Sequence, residues 1–481
     1  MSNPRDSKLS LKVTINKQKS KVLFAQANND FVDVLLSFLT LPLGKIVRIL
    51  QHHKKESIHA INGSFITLYE GLHHLDSTHF SLKGAKEMFL NPRNPFEAEC
   101  SNLILDITDS ETTKFFVCGN NYCGRFSVAN ISMYSGIAEC SVCGSLLNKQ
   151  TSAFEISVAR DANLGVFTKN SSSFLISDDL RVVPVEPGFL QTPAVAGVMR
   201  VLENVGVADT QGAESRILSI GIDDIMDLLR LSLVSATPLT DLIIKNGQKA
   251  VSAAAKPEPP LRIVKEAVSG SSKKVTLKAS LQRSTNRFLF AEATDDFLEL
   301  LFSFLTIPLG GVEFLLGGKA CLNNIDNLYK SVTDFIKVEN FKTPHTKNRL
   351  MNPKLAHGYI SHNQFLPLTE EESPVLRRRQ HQSPSPANVI RSFNWGRRRR
   401  GYVKKPTVCF VTDDLTVTPS LASTFSILNG LGIALSDVKE MELHIGLEEA
   451  LSILKASLTS KTALTDALIN PMLYKAPKLE K

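Results

Sequence analysis

The 481-residue sequence predicts a mixed α/β fold, with α+β as the alternative, in which one strand–helix unit occurs twice in tandem. Three observations predict it. Phe24–Gly44, FAQANNDFVDVLLSFLTLPLG, and Phe290–Gly310, FAEATDDFLELLFSFLTIPLG, are identical at 13 of 21 positions, where on the order of one or two matches would arise by chance. Later anchors recur in the same order: Asn91–Pro92 and Asn352–Pro353, Asp178–Leu180 and Asp413–Leu415, Leu239–Asp241 and Leu464–Asp466. Four cysteines, spaced as two close pairs, occur in one half only and mark an insertion. The first repeat is expected over 8–246, with a zinc-ribbon-like module inserted at about 112–147. The stretch 247–273, rich in Ala, Pro, Lys and Ser, is expected to be a linker, and the second repeat spans 274–470 with a basic loop at about 368–405. No compact core is expected to cross Gly247–Lys274.

Each repeat opens with two apolar, partly β-branched stretches around a polar turn, Lys12–Ile15 with Lys21–Ala25 and Val275–Leu277 with Phe288–Ala291, and these read as strand pairs. A helix follows, capped by Asn29 or Asp30 in the first repeat and by Asp295 or Asp296 in the second. Its apolar residues Phe31, Val34, Leu35, Phe38 and Leu39 fall at the helical period, as do Phe297, Leu300, Leu301, Phe304 and Leu305. The polar stripe is narrow (Asp33, Ser37, Thr40; Glu299, Ser303, Thr306), so this helix should be covered on most sides. Pro42 and Pro308 end it, because proline lacks the helical donor and pushes its predecessor out of the α region. SFLISDDLRVVP from Ser173 and VCFVTDDLTVTP from Val408 read as strand, Asp-Asp turn, strand. The paired aspartates suit a turn, through local side-chain hydrogen bonds, better than a metal. Two helices close each repeat; the last starts at Thr237-Pro238, with Thr as cap and Pro at the first helical position, and Thr462 is the cap in the second repeat.

Of seven cysteines, Cys118, Cys123, Cys140 and Cys143 sit as C-x4-C, sixteen residues, C-x2-C. Tetrahedral zinc needs that arrangement: each short turn brings two thiolates to one side of the ion, and the hairpin between brings the turns together. Gly124 and Gly144 follow the second cysteine of each pair, where freedom to take positive φ tightens the turn. The sulfurs are expected within about 4 Å of one another, around one ion at ~2.3 Å. Four sulfur ligands close the coordination shell, so the zinc would be structural; buried thiols or disulfides are the alternatives. Six histidines between His52 and His79 suggest a second metal site only weakly, since no pair stands at i, i+4 with a carboxylate partner.

The formal net charge of +8 is local. Ten basic residues and no acidic one lie between Ser373 and Lys405, which leaves the rest of the chain at −2 (8 minus 10). Trp395, Phe393 and Tyr402 stand among the arginines, and Arg397, Arg398, Arg399 and Arg400 form the densest cluster. Such a segment is a solvated, poorly ordered loop, a nuclear-import signal, or a single-strand nucleic-acid contact with rings stacking on bases. The most membrane-like stretch, Phe297–Leu316, carries Glu299, Glu313 and Pro308, and no export signal opens the chain. A cytoplasmic protein, with the nucleus as the alternative and no membrane association, is expected.

SFLTLPLG and SFLTIPLG, FLNPRN and LMNPKL, ISDDL and VTDDL, and the closing TPLTD and TALTD together resemble the plant-specific domain-of-unknown-function 674 family over nearly the whole chain. The resemblance implies the two-repeat architecture and a cysteine cluster in the first repeat; it brings no catalytic residues and does not extend to the arginine-rich insertion. No nucleophile elbow, P-loop, dinucleotide fingerprint or HExxH motif occurs. The preferred function is therefore a non-catalytic binding protein with protein partners and a structural zinc. The alternatives are a nucleic-acid-binding protein that uses the basic loop, and an enzyme whose acid–base groups are Asp33 and Glu299 on the repeat helices.

Overall fold

The structure, a computed structural model, describes residues 7–82, 84–108, 113–123, 131–156, 165–170, 173–185, 202–203, 206, 212–245, 274–360, 364–372, 376–378, 389–390, 401–419, 426, 429–430 and 432–475. In the first half, strands β1 (Leu9–Asn16) and β2 (Lys21–Asn28) form the expected hairpin, with a register shift after Thr14. Helices α1 (Asn29–Ser37), α2 (Leu43–His53), α3 (Phe65–His74) and α4 (Ala85–Leu90) follow. The ribbon region supplies β3 (Phe115–Cys118), β4 (Ile131–Ser132), β5 (Leu147–Thr151) and β6 (Phe154–Ile156). Strands β7 (Ser173–Ser177), β8 (Val182–Val185) and β9 (Ala213–Ile220), then α5 (Ile222–Val234) and α6 (Pro238–Ile243), complete the half.

The second half runs β10 (Val275–Gln282), β11 (Phe288–Thr294), α7 (Asp295–Phe304), α8 (Leu309–Leu315), α9 (Asn323–Lys330) and α10 (Pro344–Met351). It continues with β12 (Leu376–Arg378), β13 (Val389–Ile390), β14 (Val408–Thr412), β15 (Val417–Thr418), β16 (Val438–Ile445), α11 (Leu447–Thr459) and α12 (Asn470–Lys475). Two five-stranded sheets result, ordered β8-β7-β2-β1-β9 and β15-β14-β11-β10-β16, which is the same order by position in each half. Every pairing between these named strands is antiparallel, so the mixed fold is of the α+β kind.

Two of the expected helix caps lie one residue earlier than the sequence suggested. The side chain of Asn28 accepts from the Phe31 amide, so Asn29 is already helical, and Thr294 precedes α7 without a side-chain bond. The apolar helix α1 is covered as anticipated: Phe31, Val34, Leu35 and Phe38 are wholly buried, and so are Ser37 and Thr40 of its polar stripe.

Past α1 the chain meets the other half, and in the counterpart helix α7 Phe302 packs against Phe80 and Phe89 of the first half. Pro42 and Pro308 meet in an antiparallel bridge. Around it Leu43 N donates to Ile307 O at 3.1 Å, Gly44 N to Leu305 O at 2.8 Å, and Leu309 N to Leu41 O at 2.9 Å. Glycine is required at this crossing: a Cβ on Gly44 would stand 3.1 Å from Leu305 O, and one on Gly310 would stand 3.0 Å from Leu39 O.

The helices beyond the crossing are exchanged. Helix α3 lies on the second sheet, where Thr67 Oγ1 donates to Asp414 O and Ser64 N donates to Ser460 O at 3.0 Å. Helix α9 lies on the first, where Asn327 Nδ2 donates to Asp179 O at 3.1 Å and Asn324 Nδ2 to Ser235 O at 2.7 Å. Phe80 bridges to Val403, and Phe341 bridges to Thr168. One continuous apolar cluster accordingly contains Phe31 and Phe38 together with Phe297 and Phe304. The expectation that no core is shared between the two halves is corrected: a helix apolar around its whole circumference needs more cover than its own sheet offers.

Candidate metal centre

Strand β3 ends at Cys118, and the chain turns at once. Asn120 N donates to Cys118 Sγ at 3.4 Å, the Asn120 side chain accepts from Tyr122 N at 3.0 Å, and Cys123 N donates to Asn120 O at 3.1 Å. The second turn is closed by Gly144 N donating to Cys140 O at 2.8 Å and by Cys140 N donating to Ser145 O at 2.8 Å. Gly144 takes φ +72 there, as its position after the cysteine pair suggested; Gly124 lies outside the described residues. Ladder β4-β3-β5 ties the two turns together, and Cys118 is paired with Leu147.

The four cysteines converge, with all four sulfurs within 4.8 Å of one another and Cys118 and Cys143 3.5 Å apart. This is slightly wider than expected from the sequence, against the edge of about 3.8 Å in a tetrahedron with bonds of ~2.3 Å. None of the four forms a disulfide. Cys143 is drawn down to about 6 by hydrogen bonds from the side chain and backbone of Ser145, whereas Cys123 is pushed up to about 12 by its hydrogen bond with Cys143 and by burial. Four thiolates at this separation repel one another unless a cation lies among them, so the donor set suits a soft divalent ion such as zinc. Around them the packing is thin: Ala138, Cys140 and Leu147, with Cys118 and Cys123 at the margin. A module with so little apolar core needs a further cross-link to hold its shape.

The other candidates are placed differently. Asp33 is buried and accepts four hydrogen bonds, from Val166 N (2.7 Å), Phe167 N (3.1 Å), Thr168 N (2.9 Å) and Thr168 Oγ1 (2.8 Å). Burial pushes its carboxyl up to about 6 against the pull of those donors. Glu299, at the equivalent helix position, is also buried, and a Cβ on Gly401 would stand 2.4 Å from its Oε2. Both lie in the covered part of the helix, and Asp33 is committed to holding residues 166–168.

The Asp-Asp turns form as expected, with Leu180 and Leu415 at φ 60 and 64. They also do something the sequence did not reveal. Asp178 accepts from Thr240 N (2.8 Å) and Oγ1 (2.7 Å), and Thr240 Oγ1 in turn accepts from Val22 N (2.9 Å). Asp413, Thr465 and Phe288 N repeat the relay at 2.8, 2.8 and 3.0 Å. The first aspartate therefore caps the closing helical segment, the role assigned from the sequence to Thr237 and Thr462; Thr237 makes no capping bond with its side chain. Burial pushes both aspartates up to about 6.

His53 sits between Asp223 (3.6 Å) and Asp227 (3.5 Å), and Lys54 Nζ lies 2.7 Å from Asp227, so that histidine lies against two carboxylates, one of them paired with Lys54. Among the described residues, Cys118, Cys123, Cys140 and Cys143 are the one group of His, Cys, Asp or Glu close enough to share an ion.

Two described parts of the basic segment are ordered, against the expectation of a poorly ordered loop. Strands β12 and β13 fall within it, in a small sheet ordered β13-β12-β6. At its end Tyr402 is buried with its hydroxyl donating to Gly358 O, and Lys405 Nζ lies 2.8 Å from both Asp295 and Asp296. Tyr402 is thus not a stacking platform. Trp395, Phe393 and Arg397–Arg400 lie outside the described residues.

Residues with no sequence signal also matter. Arg93 pairs with Glu97, while Arg349 pairs with Glu99 and Glu371 and stacks over Phe96 at 4.2 Å, joining the two halves. Glu313 is wholly buried, and burial followed by Asp326 pushes its carboxyl well above the usual range.

Fold and site together define a mixed α/β protein of two like-ordered sheets with a four-cysteine cluster, and among the described residues no helix is long and apolar enough to cross a membrane. The chain belongs to the family described as protein of unknown function (DUF674), whose model matches residues 5–446 and 402–480. No curated protein and no solved structure matches it.

Proposed function

We propose that the protein is a non-catalytic binding protein made of two copies of one unit, about 8–246 and 274–470, in which Cys118, Cys123, Cys140 and Cys143 hold one structural zinc ion. The observation that carries the zinc is the convergence of four unbridged cysteines within 4.8 Å on two tight turns. All four ligands come from the protein, so the shell is closed and the ion serves to hold the ribbon. The identical strand order of the two sheets, the shared Asp–Thr relay and the reciprocal exchange of α3 and α9 support two copies of one unit. Asp33 is used up in hydrogen bonds, which removes support from the acid–base alternative. Protein partners are the expected ligands. The cytoplasm is the expected compartment, and the nuclear alternative rests on the basic clusters. It is tested by replacing Arg397–Arg400 with Ser in a fluorescent fusion. Elemental analysis of the purified protein tests the zinc: about one ion per chain is expected, and none overturns the reading.

A further inference from the structure

We propose that the ion at the four cysteines controls the docking of strand β12, so that gain or loss of metal secures or releases the start of the basic segment; this rests on the metal reading above. Strand β12 lies antiparallel to β6, with Leu376 opposite Ile156, Arg377 opposite Glu155 and Arg378 opposite Phe154. On its other edge it meets β13 at Ile390 and Val389. Strands of two and three residues do not form a sheet unaided in water. What seats β12 is Leu376, wholly buried among Phe115, Ile131, Met133 and Phe154 in a cluster separate from the main core.

That cluster and the cysteines share one strand. Phe115 opens β3 and Cys118 closes it. Val117 packs on the Leu376 cluster, and Cys118 packs on the small group around Cys140. Both flanking ladders of the ribbon, β4 and β5, are built on the same β3. If the ribbon is ordered by its ion, removal of the ion loosens β3, and with it Phe115 on that strand and Ile131 on β4, two of the four side chains that seat Leu376. The consequence is chemical as well as mechanical. Arg377 and Arg378 stand in β12, so metal state decides whether the strand that carries them is held on β6 or released to an acidic partner. Coupling of this kind is reciprocal: the docked strand must tighten the metal by the factor with which the metal tightens the strand.

The test is hydrogen exchange of the peptide containing Leu376–Arg378 in the full chain, metal-loaded and after chelation, with metal content measured on the same samples. Exchange about ten-fold faster after chelation is expected. Unchanged exchange in a sample shown to have lost its ion overturns the coupling and leaves the metal reading standing. A chain that never holds metal sinks both. Leu376→Asp supplies the reverse arm: chelator competition should show metal held about ten-fold more weakly, with circular dichroism confirming that the main fold persists. Unaltered competition in that variant also overturns the proposal.

Discussion

Removing the Asp33 carboxylate separates a structural role from a catalytic one. Its two oxygens take three backbone amides and one hydroxyl from Val166, Phe167 and Thr168, and Phe167 and Thr168 are wholly buried. In Asp33→Ala two buried amides and the part-buried Val166 amide lose their acceptor, at about 1–3 kcal/mol for each buried one if the segment stays in place. Releasing the segment instead forfeits the burial of Phe167, which packs edge-on against Phe96 at 6.0 Å, at about 2–3 kcal/mol. The cheaper route limits the loss, so about 2–3 kcal/mol is expected, with fast hydrogen exchange in residues 165–170. Asp33→Asn keeps one oxygen for Val166 and Phe167 and strands the Thr168 amide, at about 1–3 kcal/mol. The pH dependence has a definite sign. A carboxyl held near 6 binds its proton more tightly in the folded chain, so its contribution to stability is fully present below 3.8 and is lost as pH rises through about 6. Asp33→Asn should flatten that part of the profile. Urea unfolding followed by circular dichroism, with exchange mass spectrometry, reads both effects. A loss under about 1 kcal/mol in Asp33→Ala, with residues 165–170 as protected as before, would refute this role.

Two further outcomes follow from the relay and the shared core. Thr240→Val removes a buried hydroxyl that both accepts from Val22 N and donates to Asp178. It should cost about 1–3 kcal/mol in urea unfolding, and more than Thr465→Val, whose hydroxyl is part-exposed; a reversed ranking would contradict the relay. Cleavage at a protease site engineered within 247–273 should leave the halves associated on size exclusion, because α3 and α9 are exchanged and the core is common. Separation without denaturant would disprove the exchange.

What could be read from the sequence was local. The hairpin, the apolar helix and the proline break are written in adjacent residues, and the cysteine spacing encoded two turns that the fold brings together. The Asp-Asp turn was legible for the same reason. Its bond to Thr240 spans 62 residues, and nothing near Asp178 announces it. Likewise the breadth of the apolar face on α7 said that it is covered without saying by what, and part of the answer is Phe80 and Phe89 of the other half, against Phe302. The charged residues of the narrow polar stripe suggested acid–base groups; their burial depends on residues 166–168 and Gly401, far along the chain. The helix caps were missed by one residue because Asn28, Asn29 and Asp30 offer equivalent side chains in a row.

The most direct measurement is metal stoichiometry by native mass spectrometry, on the wild-type chain and on Cys140→Ser. About one zinc per wild-type chain is expected, held by Cys118, Cys123, Cys140 and Cys143. Cys140→Ser should lose it and loosen the ribbon while the two five-stranded sheets persist, since the ribbon's clusters are separate from the main core. A wild-type chain free of metal after expression in zinc-replete medium, or a Cys140→Ser chain that retains its ion undiminished, would contradict the site.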